Sequence, residues 1–184
     1  MGCEDAYVDS GSVIDAGRFP RLARLLELAE PYLEKNDLGA AHTERVLKAA
    51  QRYFRIPAGM EKLVLATIIL HDVGGSSIRD QYERGPEIAA GLLKALGYED
   101  QFIREVCDMI GTHHDRLEDP PEPFRILYDS DQLAKFSEEE FDYYNSRRGF
   151  DWDNVIRNLY YEHSRRLAAQ MRKRRAAGKG KVKP

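Results

Sequence analysis

The run Leu63-Val64-Leu65-Ala66-Thr67-Ile68-Ile69-Leu70-His71-Asp72-Val73-Gly74-Gly75 constrains this chain more than any other stretch. It has no polar stripe, so it reads as a helix packed on all sides within a bundle, not one lying on a surface. Two glycines end it. The last turn therefore delivers an imidazole and a carboxylate side by side at the end of a buried element. Burying a carboxylate is costly unless a cation or hydrogen-bond donors meet it. A metal ion meets that need with a single group.

The chain has 184 residues, enough for one domain that buries a core without staples. Leu22, Leu25, Leu26, Ala29 and Leu33 recur at helical spacing over residues 20–35, with Pro31 marking a kink or break. Asp37 reads as the cap of a second helix reaching about Arg55. Its apolar face is Val46, Ala49, Ala50 and Tyr53, and one step of four back from Val46 puts His42 on that face. Pro57 is expected to open the buried third helix. Residues 74–85 lack a sustained period and read as a loop over the site. Residues 86–96 form a fourth helix, and residues 99–114 a fifth in which His113 continues the stripe of Phe102, Ile103, Val106 and Ile110.

Beyond the stiff Asp119-Pro120-Pro121-Glu122-Pro123 connector, a sixth helix has Phe124, Leu127, Tyr128, Asp131 and Ala134 inside, an aspartate where an apolar residue is expected. Ser137 followed by Glu138, Glu139 and Glu140 reads as an N-cap with first-turn acids. Asp151 or Asp153 caps a last helix that runs into a basic tail. Nothing alternates with period two. The expected fold is an all-α compact bundle of about seven or eight helices. Its parts are an irregular lead-in over residues 1–18, a helical domain over 19–163, and a basic helix end and tail over 164–184, disordered from 176.

The formal net charge of −3 hides an asymmetry. Residues 164–184 carry nine Lys or Arg and no acid, which leaves the rest of the chain at −12. Such an acidic body has no long-range field that draws in nucleic acid or a polyphosphate, so affinity for phosphate must be local. Cys3 and Cys107 have no metal-type or redox-type spacing, which fits a reducing compartment. No apolar run approaches the ~20 residues that span a bilayer, and no basic segment leads into an apolar one at the N-terminus. Ala6 stands where a myristoylation pattern needs Ser or Thr. The expectation is a cytoplasmic protein with no membrane partner, a homodimer being the default assembly.

Five polar side chains thus face inward: His42, His71, Asp72, His113 and Asp131. Imidazoles and carboxylates from four helices converging in a bundle core make an N/O cage for a first-row divalent metal. Their order and the local texts His42-Thr43-Glu44-Arg45-Val46, Ile69-Leu70-His71-Asp72-Val73-Gly74 and Leu127-Tyr128-Asp129-Ser130-Asp131-Gln132-Leu133 resemble the HD-domain superfamily of metal-dependent phosphohydrolases, over roughly residues 36–136. The resemblance implies that His42, His71, Asp72 and Asp131 bind the metal, Asp131 aligning better than its neighbour Asp129. Dinuclear relatives add a histidine before a Pro-x-x-Gly-Ala segment, where this chain has Gly85, and one in an Ile-x-x-His segment, present here as Ile110-Gly111-Thr112-His113. That pattern argues for one ion over two. Mn, Fe, Co, Ni and Zn all suit such a cage.

The ligand set implies hydrolysis of a phosphate ester by a metal-activated water. Asp72 is expected to orient or deprotonate that water and His113 to protonate the leaving group, with Arg45 and Arg79 as phosphate partners. The expected substrate is a nucleotide or other small phosphorylated metabolite. Tyr143, Tyr144, Trp152, Tyr160 and Tyr161 are candidates for a base-binding wall, although their helical spacing also suits a core. Two other readings compete. One is an HD-type diiron oxygenase similar to inositol oxygenase; the other is a non-catalytic regulatory module whose basic tail binds nucleic acid.

Overall fold

The computed structural model describes residues 13–179. Residues 1–12 of the expected lead-in, Cys3, and residues 180–184 of the tail lie outside it. Among the described residues the chain is all-helical, with nine helices: α1 (Pro20–Leu33), α2 (Gly39–Tyr53), α3 (Glu61–Leu70), α4 (Ile78–Ala95), α5 (Asp100–Ile110), α6 (Glu122–Ala134), α7 (Glu138–Ser146), α8 (Trp152–Asn158) and α9 (Glu162–Lys179).

The apolar run becomes the central helix. Every residue of α3 from Val64 to Leu70 is buried, and the helix packs against α1, α2, α5 and α6. Leu22, Leu25, Ala29 and Leu33 of α1 and Val46, Leu47 and Ala50 of α2 join it in one core, with Val106 and Ile110 of α5 and Ile126 and Leu127 of α6. A second cluster of Ala49, Leu133, Phe136, Phe141, Trp152, Leu159 and Ala168 fastens α7, α8 and α9 to the back of α2 and α6.

Several local expectations are corrected. Asp37 does not cap α2, whose N-cap is Leu38; its carboxylate accepts hydrogen bonds from Tyr143 Oη at 2.6 Å and Arg147 at 3.1 Å. Residues 57–60 form a turn, with Met60 N–H donating to Pro57 O, so α3 starts at Glu61. Most of the expected loop is helix. Ser77 caps α4 by accepting from Asp80 N–H at 3.0 Å, and the helix continues through Pro86, where the sequence predicts a helix start. An internal proline removes one backbone bond, and here the freed region packs on α5, where Cys107 Sγ donates to Pro86 O at 3.3 Å.

The last helix is two. Buried Asp129 accepts from the N–H groups of Tyr160 at 2.7 Å and Tyr161 at 3.1 Å, pulling the chain inward between α8 and α9. Helix α9 then extends to Lys179, so residues 176–179 are helical where disorder was expected. Arg172 pairs with Asp153 at 2.6 Å and Arg175 with Glu138 at 3.2 Å, which places part of the basic tail against the acidic body.

Gly74 explains the tight join between the His-Asp turn and α4. A Cβ there would lie 2.5 Å from both Asp80 O and Gln81 Cα, which no side chain tolerates. The first turn of α4 therefore rests directly on the backbone after Asp72. Gly74→Ala is expected to cost about 1–3 kcal/mol, whereas Gly91→Ala, in helix α4 with open space around it, is expected to stabilise by about 0.5–1 kcal/mol. Urea unfolding of the two variants checks both signs.

Candidate metal centre

Helices α3 and α5 end at the same place. Each leaves carbonyls without intrahelical partners at its C-terminus, and each is followed by a histidine that uses one. His71 Nδ1 bonds Ile68 O at 2.7 Å, and His113 Nδ1 bonds Ile110 O at 2.6 Å. A carbonyl only accepts, so both rings carry the proton on Nδ1 and present an Nε2 lone pair. Helix α5 stops at Ile110, short of the expected His114, and His113 reaches the core from the following turn. Both histidines are 1% exposed, and neither Nε2 has a hydrogen-bond partner.

The two lone pairs face Asp72. His71 Nε2 is 3.6 Å from Asp72 Oδ2, and His113 Nε2 is 3.4 Å from Asp72 Oδ1, itself without a partner. His42, from α2, brings Nε2 to 3.8 Å from Asp72 Oδ2 and 3.0 Å from Asp131 Oδ1 of α6. The side chains of His42, His71, Asp72, Asp131 and His113 thus lie together. Ligand atoms of His42, His71 and Asp72 fall within 4.8 Å of one another, as do those of Asp72, His113 and His114. The two groups share Asp72.

Buried imidazole nitrogens and a carboxylate oxygen with nothing to bond are what a divalent cation would complete, and the N/O donor set suits one. The charges around them are arranged for it. Burial and then the neighbouring histidines act on Asp72; burial opposes its charge, yet His71, His113 and His42 hold its carboxyl well below the usual range. Asp131 is likewise held low, against burial, by Lys135 at 3.0 Å and by His42. Burial opposes protonation of His42, but hydrogen bonds to Asp131 and Glu140 raise it to about 10. Burial and His113 depress His114 to about 3. Asp129 points the other way, to the start of α9, and takes no part in the cluster.

A cavity of about 210 Å³ opens above the cluster, lined by His42, Asp72, Gln81, His114, Asp131 and Lys135 on its inner side and by Ile78, Tyr143, Tyr144 and Arg147 farther out. Neither expected phosphate partner is among the lining residues. Arg45 turns away to Glu140 at 2.5 Å, and exposed Arg79 pairs with Glu83 on its own helix. Trp152 packs on Phe136 and Phe141, and Tyr160 on Phe124 and Tyr128, so of the five aromatic candidates Tyr143 and Tyr144 line the cavity.

Three residues here were not singled out from sequence. Lys135 sits one helical turn after Asp131, a spacing that signals an ion pair. Gln81 lies in the segment read as a loop, and its Oε1 meets His114 Nε2. The sequence places Glu140 among the first-turn acids of α7, and its side chain is fully buried against His42 Nδ1 at 2.9 Å.

The HD-domain family model matches residues 39–136, which is more than half of the chain and includes all five clustered residues. The chain belongs to the HD-domain family. Comparisons with curated proteins and with solved structures gave no match. HD domains bind divalent metals and are mostly metal-dependent hydrolases, and this HD domain carries candidate His/Asp ligand groups in the matched segment. At the position where dinuclear HD relatives place a further histidine, Gly85 backs onto Gly74, its added Cβ lying 3.8 Å from Gly74 N.

A pH signature follows for the metal-free protein. A histidine raised from 6.5 to about 10 in the folded state contributes stability that is complete below pH 6.5 and lost as the pH rises toward 10. With chelator present, thermal unfolding of the wild type is expected to lose more stability between pH 6.5 and 10 than that of His42→Gln. Parallel profiles would show that His42 is not held between the two carboxylates.

Proposed function

We propose that this chain is a phosphohydrolase that cleaves the phosphate ester of a nucleotide or other small phosphorylated metabolite, using a metal held by His42, His71, Asp72 and Asp131. The observation that supports it most is the unpartnered pair of His71 Nε2 and Asp72 Oδ1, with Asp72 in the wall of a cavity that also holds Lys135. When bound, a divalent ion supplies Lewis acidity, acidifying water and offsetting charge on phosphoryl oxygens.

The side chains divide the remaining work. Asp72 directs Oδ2 toward His42 and His71 and Oδ1 toward His113, so one oxygen serves the ligand set while the other orients water and receives its proton. The His113 Nε2 lone pair, 3.4 Å from that oxygen, is placed to take up the proton that Asp72 receives from water and to hand it on to the leaving alkoxide. Lys135, 9% exposed and in the cavity wall, supplies positive charge for the phosphate. Arg147 adds charge at the rim.

A nucleotide suits the outer wall. Ile78 is a large apolar side chain left 56% exposed, and it lines the same cavity as Tyr143 and Tyr144. These give a planar base an apolar surface and two rings. Asn36 Oδ1, without a partner, can accept from a sugar hydroxyl. The Asp72, His113 and His114 group favours a second ion as the alternative stoichiometry.

Elemental analysis with a phosphate-release screen over nucleotides and small phosphoesters tests the proposal. About one equivalent of a first-row divalent metal is expected per chain. His71→Ala and Asp72→Ala should lose metal and reduce phosphate release by about 100-fold or more. Lys135→Met should raise KM while retaining metal. Asp129→Ala should lower stability by about 1–3 kcal/mol with metal retained. Undiminished phosphate release in His71→Ala and Asp72→Ala would overturn the assignment.

A further inference from the structure

The three histidines around Asp72 are not held alike. His71 and His113 rest on neutral carbonyls, Ile68 O and Ile110 O. His42 rests on a carboxylate: its Nδ1 is 2.9 Å from Glu140 Oε1, and the same oxygen accepts from Arg45 Nε at 2.5 Å. Glu140 has no solvent exposure, and its Oε2 has no partner, so the whole of its hydrogen bonding passes through the one oxygen that His42 and Arg45 share.

The route by which Glu140 arrives there departs from its local sequence. Ser137 accepts from Glu140 N–H at 3.3 Å, which is the N-cap half of a capping box. In the full motif the glutamate side chain would reach back to the N-cap N–H. Here it turns inward to α2. The Ser137 N–H that it would meet is bonded to Ala134 O at 2.9 Å instead, and the buried charge of Glu140 is met by His42 and Arg45.

We propose that Glu140 is a positioning residue for the metal centre, holding His42 with its proton on Nδ1 and strengthening Nε2 as a donor, while Arg45 supplies the counter-charge that a buried carboxylate needs. The inference rests on the metal-site reading above. It gives Arg45 a role different from the phosphate contact expected from its place one turn after His42. Arg45 is tied to the far side of the ring, and on the outside it lines a separate surface cavity with Lys48 and Tyr53.

The test measures metal affinity directly, by chelator competition with Mn(II) and Zn(II), on the full chain. Glu140→Gln preserves shape and removes charge; it is expected to weaken binding about 10- to 100-fold, with a cooperative unfolding transition retained. In zinc-loaded protein, long-range proton–nitrogen NMR correlations should report His42 protonated at Nδ1, and that proton's resonance should move in Glu140→Gln. Arg45→Met should alter metal affinity in the wild-type background and have no further effect in Glu140→Ala. Equal affinity of wild type and Glu140→Gln would overturn the inference and leave the metal site standing. So would an Arg45→Met variant that changes KM alone. Wild-type protein that binds neither metal would instead overturn the underlying reading, and this inference with it.

Discussion

Three imidazole rings with their Nδ1 atoms anchored and their Nε2 atoms turned toward one carboxylate are the constraint on which the rest of the structure depends. Each anchor comes from a different helix, and none can be moved without moving the core. Ile68 and Ile110 supply carbonyls because α3 and α5 end where they do, and the two helices pack on one another. The rings are buried, so they cannot turn to water for a partner. A lone pair without a donor in such a place costs free energy, and a cation that takes up several of them at once recovers it.

Charge follows the same logic. Asp131 and Glu140 are buried carboxylates that each meet a cation, Lys135 for Asp131 and Arg45 for Glu140, whereas Asp72 faces the Nε2 lone pairs of His71 and His113 with its Oδ1 unpartnered. Asp129 is buried as well, but with different partners. It satisfies its oxygens with backbone N–H groups and works on the fold, ending α8 and starting α9. Two aspartates two residues apart on α6 thus serve opposite sides of the helix, one structural and one at the centre.

The fold class and the inward set were legible because both rest on helical periodicity. The apolar run around Ile68 had one reading, and His42, His113 and Asp131 fell in phase with apolar neighbours. What was not legible depended on contacts between distant segments. Helix α4 through Pro86 requires Ser77 as a cap and α5 as a support. The break before α9 requires Asp129, thirty-one residues earlier. Glu140 reads as a helix-dipole acid because the two acids beside it in the first turn of α7, Glu138 and Glu139, are indeed on the outside. Arg45 and Arg79 lie near the ligand residues along the chain, and proximity in sequence does not tell which side of a ring an arginine approaches.

The most direct measurement is the anomalous scattering of crystals grown with Zn(II). A peak bonded to His42 Nε2, His71 Nε2, Asp72 and Asp131, at about 2.0–2.2 Å, is the predicted result. Density that shows His42 still paired to Asp131, with His71 Nε2 vacant and no anomalous peak between them, would contradict the account.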